Sequence, residues 1–198
     1  MLKLHHAPFS RSIRVRWLLE ELDAPYELVA LAPIAATTPF AQPTPTGKVP
    51  TIEDDGFVMF ESIAIMEYVL ERYAGGRLSP ARGSHAWGHL LQWMHYSEAT
   101  AFPPLGYIAR HSFALPEAER VPASLEDNRR LAASVLAVPE RVLRGSDYLL
   151  GAEFSAADIA MGYTIGTARL LGLLGASPNL VAYLGRLSAR PAFRRATA

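Results

Sequence analysis

Ser10, Arg11, Ser12 and Arg14 put hydroxyl donors and positive charge within five residues, in the segment FSRSIRVRWLLEEL (9–22). The segment reads as a turn leading from a short apolar strand into a helix. Hydroxyls beside a helix N-terminus suit an anion, because free backbone N–H groups and partial positive charge converge there. The chain has no cysteine, so any thiol chemistry must use a thiol brought in by another molecule. Ser10 is the preferred donor, because it follows the strand and precedes the helix. Ser12 is the alternative, since it could equally be the N-cap. Arg11 sits where positive charge is mildly unfavourable, which a nearby anionic ligand would explain. Arg14 and Arg16 read as a solvated helix face.

Two further segments carry ligand chemistry. In GKVP (47–50), the Val49–Pro50 bond is of the type that adopts cis most readily. A cis bond there would leave the Val49 N–H and C=O free to pair with an extended peptide; the plain alternative is a rigid turn. Lys48 beside it reads as a loop lysine in water. In FESIAIMEYV (60–69), Ser62 reads as the N-cap of a helix whose start suits a carboxylate, while Glu61 suits an ammonium group. The box FSAAD (154–158) reads as structural: Ser155 and Asp158 form a capping box, with Phe154 and Ile159 as its staple.

The elements that must hold these residues follow from periodicity. MLKLHH is a strand candidate. Val15, Leu18, Leu19 and Leu22 form one helical stripe, ended by Asp23-Ala24-Pro25. YELVAL (26–31) reads as a second strand, residues 32–48 as a long loop, and Asp55-Gly56 as a hairpin turn. A helix follows from about Ser62 to Tyr73. The order β-α-β-loop-β-β-α predicts a small α/β domain with a mixed four-stranded sheet over residues 1–75. GGRLSPARGS marks a linker, 76–84. Residues 85–198 predict an all-helical domain with helices near 85–113, 124–144, 155–173 and 178–189. Pro103-Pro104 and Pro139 are expected to break or kink the first two.

Composition narrows the function classes. Lys+Arg and Asp+Glu are both 19, so a polyanion-binding surface and nucleic acid as a partner are not expected. No stretch is long and apolar enough for a membrane span, and the start lacks a signal-peptide pattern, so a cytoplasmic protein is the expectation. His85 and His89 have i, i+4 spacing, but no further ligands accompany them, and no metal is expected.

The combination of the Ser10 turn, GKVP, Glu61-Ser62, FSAAD and the terminal SARPAFRRA (188–196) resembles the glutathione transferase superfamily, across nearly the whole chain. That resemblance implies a thioredoxin-like first domain, glutathione as co-substrate, and a homodimer. It implies that Ser10 hydrogen-bonds the glutathione thiolate and that Val49, before Pro50, pairs with the cysteinyl backbone. Glu61 and Ser62 would hold the γ-glutamyl end, and Lys48 the glycyl carboxylate. Ser10 followed by Arg14 is similar to the spacing of the serine-type classes. Arg11 stands where bacterial cysteine-type classes carry their reactive Cys, and His5 and His6 stand near the site of the tyrosine of other classes.

The implied activity is transfer of the thiolate to a small hydrophobic electrophile. The stretch 87–111 would supply its pocket, where Trp93, Tyr96 and Phe102 are candidate lining residues and Tyr107, Arg110 and His111 the chosen ones. Alternatives are a glutathione-dependent isomerase or dehalogenase, or a binding module without turnover. The segment SRSIRVR matches the zeta-type pattern only in its second half, which weakens the isomerase reading.

Overall fold

A computed structural model describes residues 1–31 and 46–198. Most of the loop expected at 32–48 therefore lies outside the described residues. The chain forms two units: residues 1–82 with 188–198, and residues 83–187.

The first unit contains β1 (Leu2–His6), α1 (Ser12–Leu22), β2 (Glu27–Ala30), β3 (Thr51–Asp54), β4 (Phe57–Phe60) and α2 (Ser62–Tyr73). Its sheet has the order β2-β1-β3-β4. The β1–β2 pair is parallel, joined through α1, and the other two pairs are antiparallel. This is the expected mixed four-stranded sheet. Leu4 and Ile52 face each other across β1 and β3 and are fully buried. Val15, Leu18 and Leu19 of α1 and Ile65, Met66 and Val69 of α2 are buried as well. Each such side chain contributes about 1.5–3 kcal/mol by leaving water. The helix α1 stops because Asp23 turns left-handed, φ 49°, while the Ala24 N–H returns to the Leu19 carbonyl at 3.1 Å. Asp55 and Gly56, with φ 48° and 88°, make the β3–β4 hairpin turn that their types suggest.

The second unit is helical. It contains α3 (His85–His95), a π-helical turn (Tyr96–Ala101), α4 (Phe102–Ala109), a second π-helical turn (Arg110–Ala114), a 3-10 turn (Glu117–Glu119), α5 (Pro122–Val142) and α6 (Ala156–Leu170), and α7 (Pro178–Ser188) closes it. Pro103-Pro104 does not end the first helical stretch. The wide π register just ahead of the prolines accommodates their rings and missing donors at the start of α4. Pro139 likewise lies inside α5. It cannot donate to the carbonyl of Val135, four residues earlier, and that carbonyl accepts the Tyr96 hydroxyl at 2.8 Å instead. No described helix is long and apolar enough to cross a membrane.

Ser155 and Asp158 form the expected capping box at the start of α6. The buried Asp158 also accepts the Leu149 N–H at 2.9 Å and the Tyr183 hydroxyl at 2.7 Å, so it ties three segments together. Burial raises its pKa, against these hydrogen bonds, which lower it.

Residues 188–198 group with the first unit rather than with the helical one. The final helix, α8 (Pro191–Thr197), packs on α1 instead. The Phe193 ring meets the buried Trp17 edge-on at 4.9 Å. Glu21 takes a two-pronged ion pair from Arg190 at 2.6 and 2.7 Å. Helical periodicity alone does not say which unit a terminal helix covers; the paired charges on α1 and α8 do.

Candidate functional site

The sheet gathers three of the sequence motifs at one end. The β1–β3 register pairs His5 with Thr51, and the β3–β4 register pairs Thr51 with Phe60. The turn after His6, the Val49–Pro50 step before Thr51, and Glu61-Ser62 after Phe60 therefore leave the sheet side by side. The Val49–Pro50 bond is cis.

The turn into α1 is a buried polar cluster. The Ser10 hydroxyl donates to the Ala7 carbonyl at 2.7 Å. Its Oγ is also 2.5 Å from Ser12 Oγ and accepts the Ser12 N–H at 3.2 Å. Ser12 Oγ in turn lies 2.8 Å from His6 Nδ1 and accepts the Ala7 N–H at 3.3 Å. Ser10 is 4% exposed and Ser12 fully buried. Ser12 is not the N-cap: Arg11 holds that position without a side-chain capping bond. The Ser12 side chain is turned instead toward His6 at the end of β1. Burial, with the positive charge of Arg16, pushes His6 down to about 4. Phe9, just before Ser10, is 81% exposed and has φ 59°. A bulky residue in that region is strained and is held there by its surroundings.

Arg14 departs from the expected solvated face. It is fully buried, and its Nη1 donates to Ser62 Oγ at 3.2 Å. Arg16, by contrast, is partly exposed and donates to the Ala198 carbonyl at 3.1 Å. Ser62 is the first residue of α2, not its cap; Glu61 is the N-cap, with φ 74° and ψ 110°. The Glu61 carbonyl still accepts the first helical hydrogen bond, from the Ile65 N–H at 2.9 Å. A glutamate with positive φ at a helix start costs on the order of 1–3 kcal/mol. Glu61 and Lys48 are exposed, while Val49, Pro50 and Ser62 are buried.

The residues chosen for a second pocket belong to the helical unit. Tyr107 and His111 stack with ring centroids 4.0 Å apart. His111 is 6% exposed, and its Nδ1 is buried without a hydrogen-bond partner among the described residues. Arg110 is exposed. Trp93, Tyr96 and Phe102 are engaged within that unit: Trp93 and Tyr96 meet edge-on, and Phe102 stacks on Tyr163.

Chemically, the first unit presents a hydroxyl cluster backed by an imidazole, the starts of two helices, and exposed acidic and basic side chains around one sheet end. That set offers hydrogen-bond and charge partners for both anionic and cationic groups of a small ligand. Sequence reasoning missed the burial of Arg14 and the contact of His6 with Ser12. The signal for Arg14 was present, since it lies four residues before Leu18 and eight before Leu22 and so belongs to their apolar stripe. For His6 the signal was only its place at the end of a buried strand.

The chain is similar to known proteins along its length. Residues 4–77 match the family model described as Glutathione S-transferase, N-terminal domain, and residues 122–186 match Glutathione S-transferase, C-terminal domain. The chain is 31% identical to a glutathione S-transferase of Hyoscyamus muticus, over 98% of this chain and 97% of that one. It is 38% identical to Glutathione S-transferase 3 of Schizosaccharomyces pombe, over 52% of this chain and 43% of that relative. A crystal structure of a glutathione transferase from Phanerochaete chrysosporium with oxidized glutathione aligns with a TM-score of 0.86 at 25% identity, covering 98% of this chain and 92% of that one. With both domain models matched and a full-length relative above 30% identity, the chain belongs to the glutathione S-transferase family.

Proposed function

We propose that this protein binds glutathione at the sheet end described above and transfers its thiolate to a small apolar electrophile. The observation that carries the reading is the convergence of the Ser10 turn, Val49–Pro50 and Glu61-Ser62 through two adjacent strand registers. The glutathione complex of the Phanerochaete chrysosporium neighbour supports the choice of ligand.

In this reading the γ-glutamyl carboxylate lies on the Ser62 hydroxyl and the start of α2, and its ammonium group on Glu61. The Val49 backbone, ahead of Pro50, pairs with the cysteinyl residue, and Lys48 faces the glycyl carboxylate. The sulfur meets the Ser10 hydroxyl and the start of α1. A hydrogen bond from Ser10 favours thiolate over thiol, so the thiol gives its proton to solvent water at neutral pH. The thiolate then attacks the electrophilic carbon; a carbon–sulfur bond forms and the leaving group departs with its electron pair. Ser12 and Arg11 are the alternative donors at the turn. Tyr107, Arg110 and His111 are the proposed contacts for the electrophile. A cytoplasmic homodimer completes the reading.

Calorimetric titration with reduced glutathione tests the binding half. Wild type is expected to bind, and Glu61→Ala to bind at least tenfold more weakly. No heat of binding in wild type would sink the proposal.

A further inference from the structure

The buried cluster behind Ser10 holds three short contacts in series. His6 Nδ1 to Ser12 Oγ is 2.8 Å, Ser12 Oγ to Ser10 Oγ is 2.5 Å, and Ser10 Oγ to the Ala7 carbonyl is 2.7 Å. Each needs one proton. The Ala7 carbonyl has none to give, so Ser10 donates to it. The Ser12 hydroxyl also lies 3.2 Å from the Ala7 carbonyl, but its 2.5 Å contact with Ser10 is much the shorter, so the Ser12 proton goes to Ser10. That leaves the His6–Ser12 proton to His6, which fixes its Nδ1–H tautomer. If Nδ1 were the acceptor, two serine protons would have to serve three contacts, and one short contact would be left without a hydrogen.

We propose that His6 and Ser12 are positioning residues that set the direction of the Ser10 hydroxyl, through a chain of donors running from His6 Nδ1–H to Ser12 Oγ–H to Ser10 Oγ–H. With its Oγ accepting both the Ser12 hydroxyl and the Ser12 N–H, Ser10 keeps its own proton for donation. In the free protein that proton rests on the Ala7 carbonyl. With ligand bound, the glutathione sulfur takes it. An oxygen that accepts hydrogen bonds is a stronger donor, so each upstream member strengthens the last. The direction matters: a hydroxyl can stabilise a thiolate only by donating to it. The imidazole does this while neutral, and the charge that bears on it is that of Arg16. His5, its neighbour in β1, is turned elsewhere and pairs with Glu53 at 2.7 Å.

This inference rests on the reading of Ser10 as the thiolate donor, and the test separates the two. The thiol pKa of bound reduced glutathione is followed by ultraviolet absorbance of the thiolate, which needs no electrophile. Thermal melting checks folding. The expected result is a rise of about 1 in that pKa for Ser12→Ala and for His6→Leu. His6→Asn, whose amide N–H stands where Nδ1–H stood, keeps it near the wild-type value. If His6→Leu does not fold, Ser12→Ala still decides the matter. A thiol pKa that moves in Ser10→Ala but stays put in Ser12→Ala overturns the donor chain and leaves the Ser10 reading standing. A pKa unmoved by Ser10→Ala overturns both.

Discussion

Arg14 Nη1 donates to Ser62 Oγ at 3.2 Å across 48 residues of sequence, with both side chains buried. The contact joins the first turn of α1 to the first turn of α2. In the proposed function those turns hold the sulfur and the γ-glutamyl end of one ligand, so their separation must be constant to within a fraction of an ångström.

Removing the guanidinium should therefore affect stability and binding together. Arg14→Ala leaves a cavity and a buried Ser62 hydroxyl short of a donor. The expected cost is about 2–4 kcal/mol in denaturant unfolding, with glutathione affinity reduced roughly tenfold or more. Arg14→Lys should recover little, because an ammonium group lacks the planar fork of donors. A variant with wild-type affinity would show that the two turns are held by other contacts.

His6 predicts a pH dependence of stability. Its pKa falls from 6.5 to about 4 on folding. Between those values the unfolded chain binds more protons than the folded one. Stability thus rises with pH through that window and is fully present above about 6.5. Lowering the pH from 6.5 to 5 should cost about 1–2 kcal/mol more in wild type than in His6→Asn. Melting curves of the two proteins across pH 5 to 7 check this, and parallel curves would contradict it.

Tyr96 compensates for a proline. Its hydroxyl occupies the Val135 carbonyl that Pro139 cannot reach with an N–H. Tyr96→Phe should destabilise by about 1–2 kcal/mol. Pro139→Ala, which restores the helical donor, should make Tyr96→Phe nearly neutral. A double-mutant cycle reads the coupling directly.

Glu21 anchors α8. It accepts both prongs of Arg190 and the Trp17 indole N–H at 2.9 Å, and its side chain is 8% exposed. Glu21→Ala should cost about 3–5 kcal/mol, because it strands a partly buried guanidinium and the indole N–H. Arg195→Ala, at a half-exposed pair with Glu20, should cost far less, because an exposed ion pair is screened by solvent. Equal losses for the two variants, measured by urea unfolding, would contradict this ranking.

Much of the first unit was legible because its signals are local. The stripe Val15, Leu18, Leu19 and Leu22, the Asp55-Gly56 turn and the Val49–Pro50 step each depend on neighbours in sequence. The errors came where long-range contacts decide. Ser62 and Ser12 both look like helix caps by type, yet each sits one residue inside its helix and turns its hydroxyl to a partner on another segment. Arg14 looked solvated because charge outweighed its place on the apolar stripe. Pro103-Pro104 and Pro139 looked like breakers because the π register and the Tyr96 hydroxyl that accommodate them are tertiary answers to a local problem. At the terminus, α8 shows a helical pattern, but its attachment to α1 rests on charge pairs that are up to 175 residues apart.

The central claim is that Ser10 activates a glutathione thiol for transfer. Its most direct test is kcat/KM for glutathione conjugation to a chloronitrobenzene, in wild type and Ser10→Ala at pH 7. The account predicts measurable turnover in wild type and a fall of about 100-fold in the variant, on the order of 3 kcal/mol of transition-state stabilisation. Wild-type turnover unaffected by Ser10→Ala but abolished by Ser12→Ala would contradict it.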